Sequence, residues 1–127
     1  MTKPESPTPR IAVSWGELLD KITILEIKSV RLRTEVGRAN VHRELSMLRE
    51  SSGAIPSQFR DRLRVVNEQL WDAETQIRAH GERQDFGPVF VELARSIYLH
   101  NDERSRIKRM INESMGSELI EEKDYLV

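Results

Sequence analysis

Between Phe59 and Ile77 apolar residues recur every three or four positions: Phe59, Leu63, Val66, Leu70, Ala73 and Ile77. That spacing is the signature of one face of an α-helix and does not fit the strict alternation of a half-buried strand. Two further stripes keep the same time. Leu18, Ile22, Leu25, Ser29, Leu32 and Val36 form one, and Val89, Phe90, Leu93, Ala94 and Ile97 form the other. Three long helices with short connections predict an all-α fold, an antiparallel bundle with room for a fourth, shorter helix after Gly37.

The punctuation agrees with this division. Ser14 and Glu17 form the S-x-x-E pattern of a capping box, and Val13 and Leu18 stand where a hydrophobic staple would close over it. The first helix is therefore expected from Trp15 to about Val36, with Gly37 ending or weakening it. "ANVHRELSMLRE" continues helically with Leu45 and Leu48 inward, and "SSGAIPS" reads as a loop. Gly81 is the expected stop of the next helix, Asp85 the expected N-cap of the last, with Pro88 in its first turn and Gly116 closing it. Residues 1–10, with three prolines, read as a flexible leader. "IAV" at 11–13 reads as a short extended segment over an edge. The bundle is expected to occupy residues 11–116, and an acidic tail residues 117–127.

Composition removes several classes of function. A chain of 127 residues makes one domain. Its net charge of −1 gives no broad attraction for nucleic acid or anionic membrane. With no cysteine, disulfides, thiolate zinc sites and thiol catalysis are out, and a reducing cytoplasm is the expected compartment. No apolar run reaches transmembrane length. His42, His80 and His100 show no ligand spacing, so no metal and no cofactor is expected.

The last stripe carries the chemistry. Continued in steps of three and four beyond Ile97, it reaches Asn101, Arg104, Lys108 and Asn112, all polar. An unpaired Arg or Lys aimed into a bundle costs several kcal/mol, so these cations need carboxylates from neighbouring helices or an anionic ligand. Asn67 and Glu74 on the second stripe's flank and Asp20 on the first helix are the candidate partners, and Lys21 adds a further cation to the mixed pocket. Together these eight residues make a candidate ligand site suited to phosphate or carboxylate. The competing reading breaks the helix at Asn101, which becomes an N-cap while Arg104 and Lys108 snorkel to water.

Four ordered segments, "SWGELLDKITILEIKSVRL", "VNEQLWDAETQIR", "FVELARSIYLHNDERSRIKRMIN" and "GSELIEEKDYLV", resemble a family of uncharacterised bacterial proteins, a domain-of-unknown-function family. The resemblance covers residues 11–127 and implies no reaction. It implies a signature running through Trp15-Gly16-Glu17, Asn67-Leu70-Trp71-Glu74, Asn101-Asp102-Arg104-Lys108 and Glu121-Glu122-Lys123-Tyr125.

The favoured function is a helical binding domain for an anionic small molecule or an acidic partner segment, with no catalysis required. Enzymatic readings are weaker. "ELLDKITILEIKSVRL" is similar to the opening helix of helical chorismate mutases, but the rest of that pattern is missing. Glu17-x-x-Asp20 is half of the paired carboxylate motif of magnesium-dependent nucleotide pyrophosphohydrolases, and the second half is missing. Arg95 and His100 match a short ribonuclease motif that arises easily by coincidence. Finally, Ile24 and Ile27 give the first helix a second apolar face, which calls for either a sandwiched position or a homodimer.

Overall fold

A computed structural model describes residues 7–53 and 55–125. It contains four helices, α1 (Trp15–Arg31), α2 (Glu35–Ser52), α3 (Ser57–Glu82) and α4 (Pro88–Met115), and no strand among the described residues. The all-helical expectation holds. The extra helix expected after Gly37 is α2, which starts ahead of it at Glu35 and, with 18 residues, is as long as α1 with 17. The leader expected at 1–10 lies mostly outside the described residues, and residues 11–13 are irregular, with Ile11 largely exposed and no sheet edge to cover.

The first helix stops earlier than its stripe suggests. Leu32 leaves α1 in an extended conformation, and Thr34 starts a new helix by accepting a hydrogen bond from the Gly37 amide at 3.1 Å. A threonine able to cap a following turn competes with helix continuation. Val36, expected at the end of the first apolar stripe, therefore belongs to α2 and is exposed. The Gly37 amide serves the new helix rather than ending the old one. At the other stops the sequence reads closely. Gly116 takes a left-handed conformation (φ 62°) at the end of α4, where the absence of a Cβ removes the strain. Gly87 rather than Asp85 is the N-cap of α4, and Asp85 accepts weakly from the Gly87 amide.

Helix α1 is sandwiched. Leu18, Ile22 and Leu25 meet Val41 and Leu45 of α2 on one side. On the other, Leu19 joins Phe59, Leu63, Val66, Ile107 and Ile111 from α3 and α4. Helix α2 packs against α1 alone, so α1, α3 and α4 form the bundle and α2 lies on its outside. The apolar stripe of α1 and Leu19 are thus satisfied within one chain, whereas of the second face Ile27 is 2% exposed and Ile24 only half-buried.

Helix α4 runs unbroken through Asn101 and Asp102, so the N-cap reading of Asn101 is excluded. Its buried residues are confined to the C-terminal half, at Ile107, Lys108, Ile111 and Asn112. The N-terminal half departs from expectation. Val89 is 57% exposed, Ala94 is exposed, and Phe90, Leu93 and Ile97 are only half-buried. Burial on α3 likewise ends at Ala73. Beyond that level the α3–α4 hairpin is a two-helix arm with no buried residue from 74 to 106.

Candidate functional site

Where α1 meets α4 the two backbones nearly touch. A Cβ on Gly16 would lie 2.6 Å from the Lys108 carbonyl oxygen, so only glycine fits at this crossing. The Gly16 amide donates to Asn112 Oδ1 at 2.7 Å, which gives one of the orphan amides at the start of α1 a partner. Ser14 Oγ accepts from the Glu17 amide, the first half of the expected capping box. The Glu17 carboxylate goes elsewhere.

One turn further along α1, Asp20 is 1% exposed. Burying a carboxylate requires full compensation, and Asp20 receives it from two helices. Arg104 grips it with both a 2.9 Å Nε–Oδ1 bond and an Nη2–Oδ2 bond, the bidentate geometry that guanidinium and carboxylate share. Asn67 Nδ2 donates to Asp20 Oδ1 and to Thr23 Oγ1, each at 3.0 Å. The Thr23 hydroxyl donates in turn to the Asp20 backbone carbonyl at 2.8 Å. Arg104 also reaches Asn101 Oδ1 at 3.3 Å.

Lys108 sits one turn on from Arg104 with its side chain 6% exposed. Its ammonium donates to Glu17 at 2.8 Å and to Glu121 of the C-terminal tail at 2.9 Å, with Asp20 at 3.9 Å. Burial alone would drive the Lys108 pKa down, and it is the largest single influence. The hydrogen bonds to Glu17 and Glu121, with the charge of Asp20, outweigh it and raise the group above its usual range. The hydrogen bonds from Arg104 to Asp20 raise Arg104 in the same way against desolvation. Glu121 is held below the ordinary carboxylate range, chiefly by its bond to Lys108. Three carboxylates and two cations interlock; Lys108 is enclosed by its partners, whereas the Arg104 side chain stays 28% exposed.

The chain belongs to the DUF6165 family, a family of unknown function, whose model matches residues 9–127. No curated protein and no solved structure matches it. Membership supplies no reaction, so the chemistry of this DUF6165 member rests on its own geometry.

Of the eight candidate residues, the structure brings Asp20, Asn67, Asn101, Arg104 and Lys108 into one network. Asn112 is buried beside it but serves the start of α1. Lys21 is elsewhere, paired with Glu44 of α2 at 3.2 Å on an exposed surface. Glu74 does not hold a cation of the network. It pairs with Arg78 at 3.3 Å on the α3 surface. Glu17, Thr23 and Glu121 complete the network and were not among the candidates. Glu17 had been accounted for by capping, and Thr23 lay off the polar positions singled out on α1. Glu121 lies in a tail without periodicity, where only the family resemblance pointed to it.

Beside the network, α1 and α3 border a groove of about 340 Å³. Ile24, Ile27, Leu70 and Trp71 supply apolar walls, and Asn67 and Arg104 line it where it meets the network. Lys28, Glu74 and Arg78 are the other charged residues along it. Lys28 enters no ion pair among the described residues, whereas Arg78 shares Glu74. The guanidinium of Arg31 stands 6.0 Å over the Trp71 ring and also reaches Asp72. Asp20, the second carboxylate of the half-motif read as magnesium-binding, is occupied by Arg104. No group of three or more His, Asp or Glu residues is placed to hold a metal among the described residues. Arg95 and His100, five apart on one continuous helix, project roughly 140° from each other, which does not form a joint site. Among the described residues no helix is long and apolar enough to cross a membrane.

Proposed function

We propose that this chain is a cytoplasmic helical binding domain that takes an anionic molecule with an apolar body in the α1–α3 groove. The observation that carries the reading is Lys28, which enters no ion pair among the described residues, beside apolar walls, with Arg104 clamped in place at the network end. A ligand's ring or alkyl body would cover Ile24, Ile27, Leu70 and Trp71, and its carboxylate or phosphate would meet Lys28 and the outer face of Arg104. Lys108, the other cation expected to bind an anion, is committed to Glu17 and Glu121 and drops out of the ligand's reach. The network's part is preorganisation. Asp20 fixes Arg104 so that little side-chain entropy is lost on binding.

The test is a two-dimensional amide NMR titration with phenyl phosphate and phenylacetate, using inorganic phosphate as the polar control. Shifts confined to residues around Lys28 and Trp71, stronger for the aromatic anions and lost in Lys28→Ala, support the reading. Titrations that leave those amides unmoved, or shifts unchanged in Lys28→Ala, refute it.

A further inference from the structure

The α3–α4 arm has helix-forming sequence and an apolar stripe but nothing buried, because α1 joins α4 at Arg104, Lys108 and Asn112 and leaves the tipward half open. Two helices alone cannot enclose a core. On α4 the open side carries Phe90, Val91, Ala94, Ile97 and Tyr98, with Val91 57% and Tyr98 54% exposed. Ala94 lies seven and fourteen residues from Asn101 and Lys108, so the stripe prolongs the side of α4 on which α1 packs.

The order of these residues is symmetric. Around Ala94, β-branched Val91 and Ile97 stand three residues to either side, and aromatic Phe90 and Tyr98 stand four to either side. We infer that this stripe is the contact with a second copy of the chain, packed antiparallel across a two-fold axis through Ala94. In that register Ala94 meets Ala94 of the other copy, and its small side chain lets the helices approach closely. Val91 then opposes Ile97, and Phe90 opposes Tyr98, twice each. A two-fold contact requires a patch that is complementary to itself, and a stripe that reads alike in both directions supplies it. The two arms together make a four-helix bundle, which gives the half-buried Phe90 and Ile97 the cover their spacing implies. The surface is independent of the α1–α3 groove.

The full chain has no cysteine, so cross-linking can report this register directly. Ala94→Cys and Leu99→Cys each introduce one thiol at an exposed α4 position, the second on a different side of the helix. Under copper(II)-phenanthroline in air, where dioxygen is the terminal acceptor of the two electrons released with the two thiol protons, the Ala94→Cys chain is expected to link to itself at least tenfold faster than the Leu99→Cys chain. Light scattering of the unsubstituted protein should give twice the chain mass, and Ala94→Glu should return it to one. A helical circular dichroism spectrum unchanged in Ala94→Glu separates lost association from lost folding. A single-chain mass up to millimolar concentration would overturn the inference and leave the stripe for a helix of another protein. Equal cross-linking rates at the two positions would overturn the register.

Discussion

Replacing Asp20 with alanine isolates the centre of the polar network. Three hydrogen bonds vanish, two from Arg104 and one from Asn67, while Lys108 keeps Glu17 and Glu121 and Asn67 keeps Thr23. Breaking a buried pair from one side typically costs ~3–5 kcal/mol, because the remaining charge loses its partner without regaining water. The Arg104 side chain is 28% exposed and recovers some hydration, so the lower end, about 3 kcal/mol, is expected. For a domain of this size that lowers Tm by roughly 10 °C. Urea unfolding followed by far-ultraviolet circular dichroism measures the loss. The double variant Asp20→Leu with Arg104→Met should recover most of it, since an apolar pair of similar volume often replaces a buried ion pair at little cost. A loss below about 1 kcal/mol in Asp20→Ala would mean that water already satisfies Arg104. A double variant no more stable than the single one would mean that shape rather than charge is the issue.

Gly16→Ala drives a methyl into the Lys108 carbonyl, and the resulting separation of α1 from α4 should cost about 2 kcal/mol or more in the same urea experiment. Glu121→Gln should lower stability by less than about 1 kcal/mol at neutral pH, because this carboxylate is partly exposed and screened. Its folded pKa is depressed, so its contribution is present above the unfolded value near 4.5 and is lost as pH falls through the folded value. Wild type and Glu121→Gln should therefore converge in stability at acid pH, and a difference that persists there would contradict the Lys108–Glu121 bond. Lys108 behaves in the opposite sense: its raised pKa means that its contribution is lost only as pH rises beyond the folded value, above 10.5. Thr34→Ala removes the cap of α2 and should cost about 1 kcal/mol, visible as faster amide hydrogen exchange at Gly37.

Periodicity told which side of each helix faces inward, and that is why Arg104 and Lys108 could be read as inward-facing cations from their spacing after Ile97. It carried no information on how far a neighbouring helix extends. Phe90, Leu93 and Ile97 keep the same phase as Ile107 and Ile111, yet α1 joins α4 only over the latter. The end of α1 was misread for a local reason, since Leu32 and Val36 continue the stripe while Thr34 offers a competing cap. Asp20 was legible as a partner because a cation needs one. Glu74 fits the same pattern but has a nearer partner in Arg78, and Lys21, a further pocket cation by its spacing, pairs with Glu44. Glu121 reaches Lys108 from an irregular segment, where no repeat constrains position. Sequence spacing locates groups within a helix, whereas pairing between elements depends on crossing points such as Gly16 against Lys108.

The long reach of the network also sets an order in time. Asp20 and Arg104 are 84 residues apart, and Trp15 donates to Ser117 across 102. During synthesis at ~5–20 residues per second, Asp20 emerges on the order of ten seconds before its guanidinium. In that interval α1 and α2 can already join through Leu18, Ile22, Leu25, Val41 and Leu45, which are local in sequence. The opposite face of α1 must wait, holding a carboxylate that stays in water until α4 arrives. Closing on α3 alone would bury Asp20 with only Asn67 and Thr23 for company, a cost that the guanidinium of the last helix offsets.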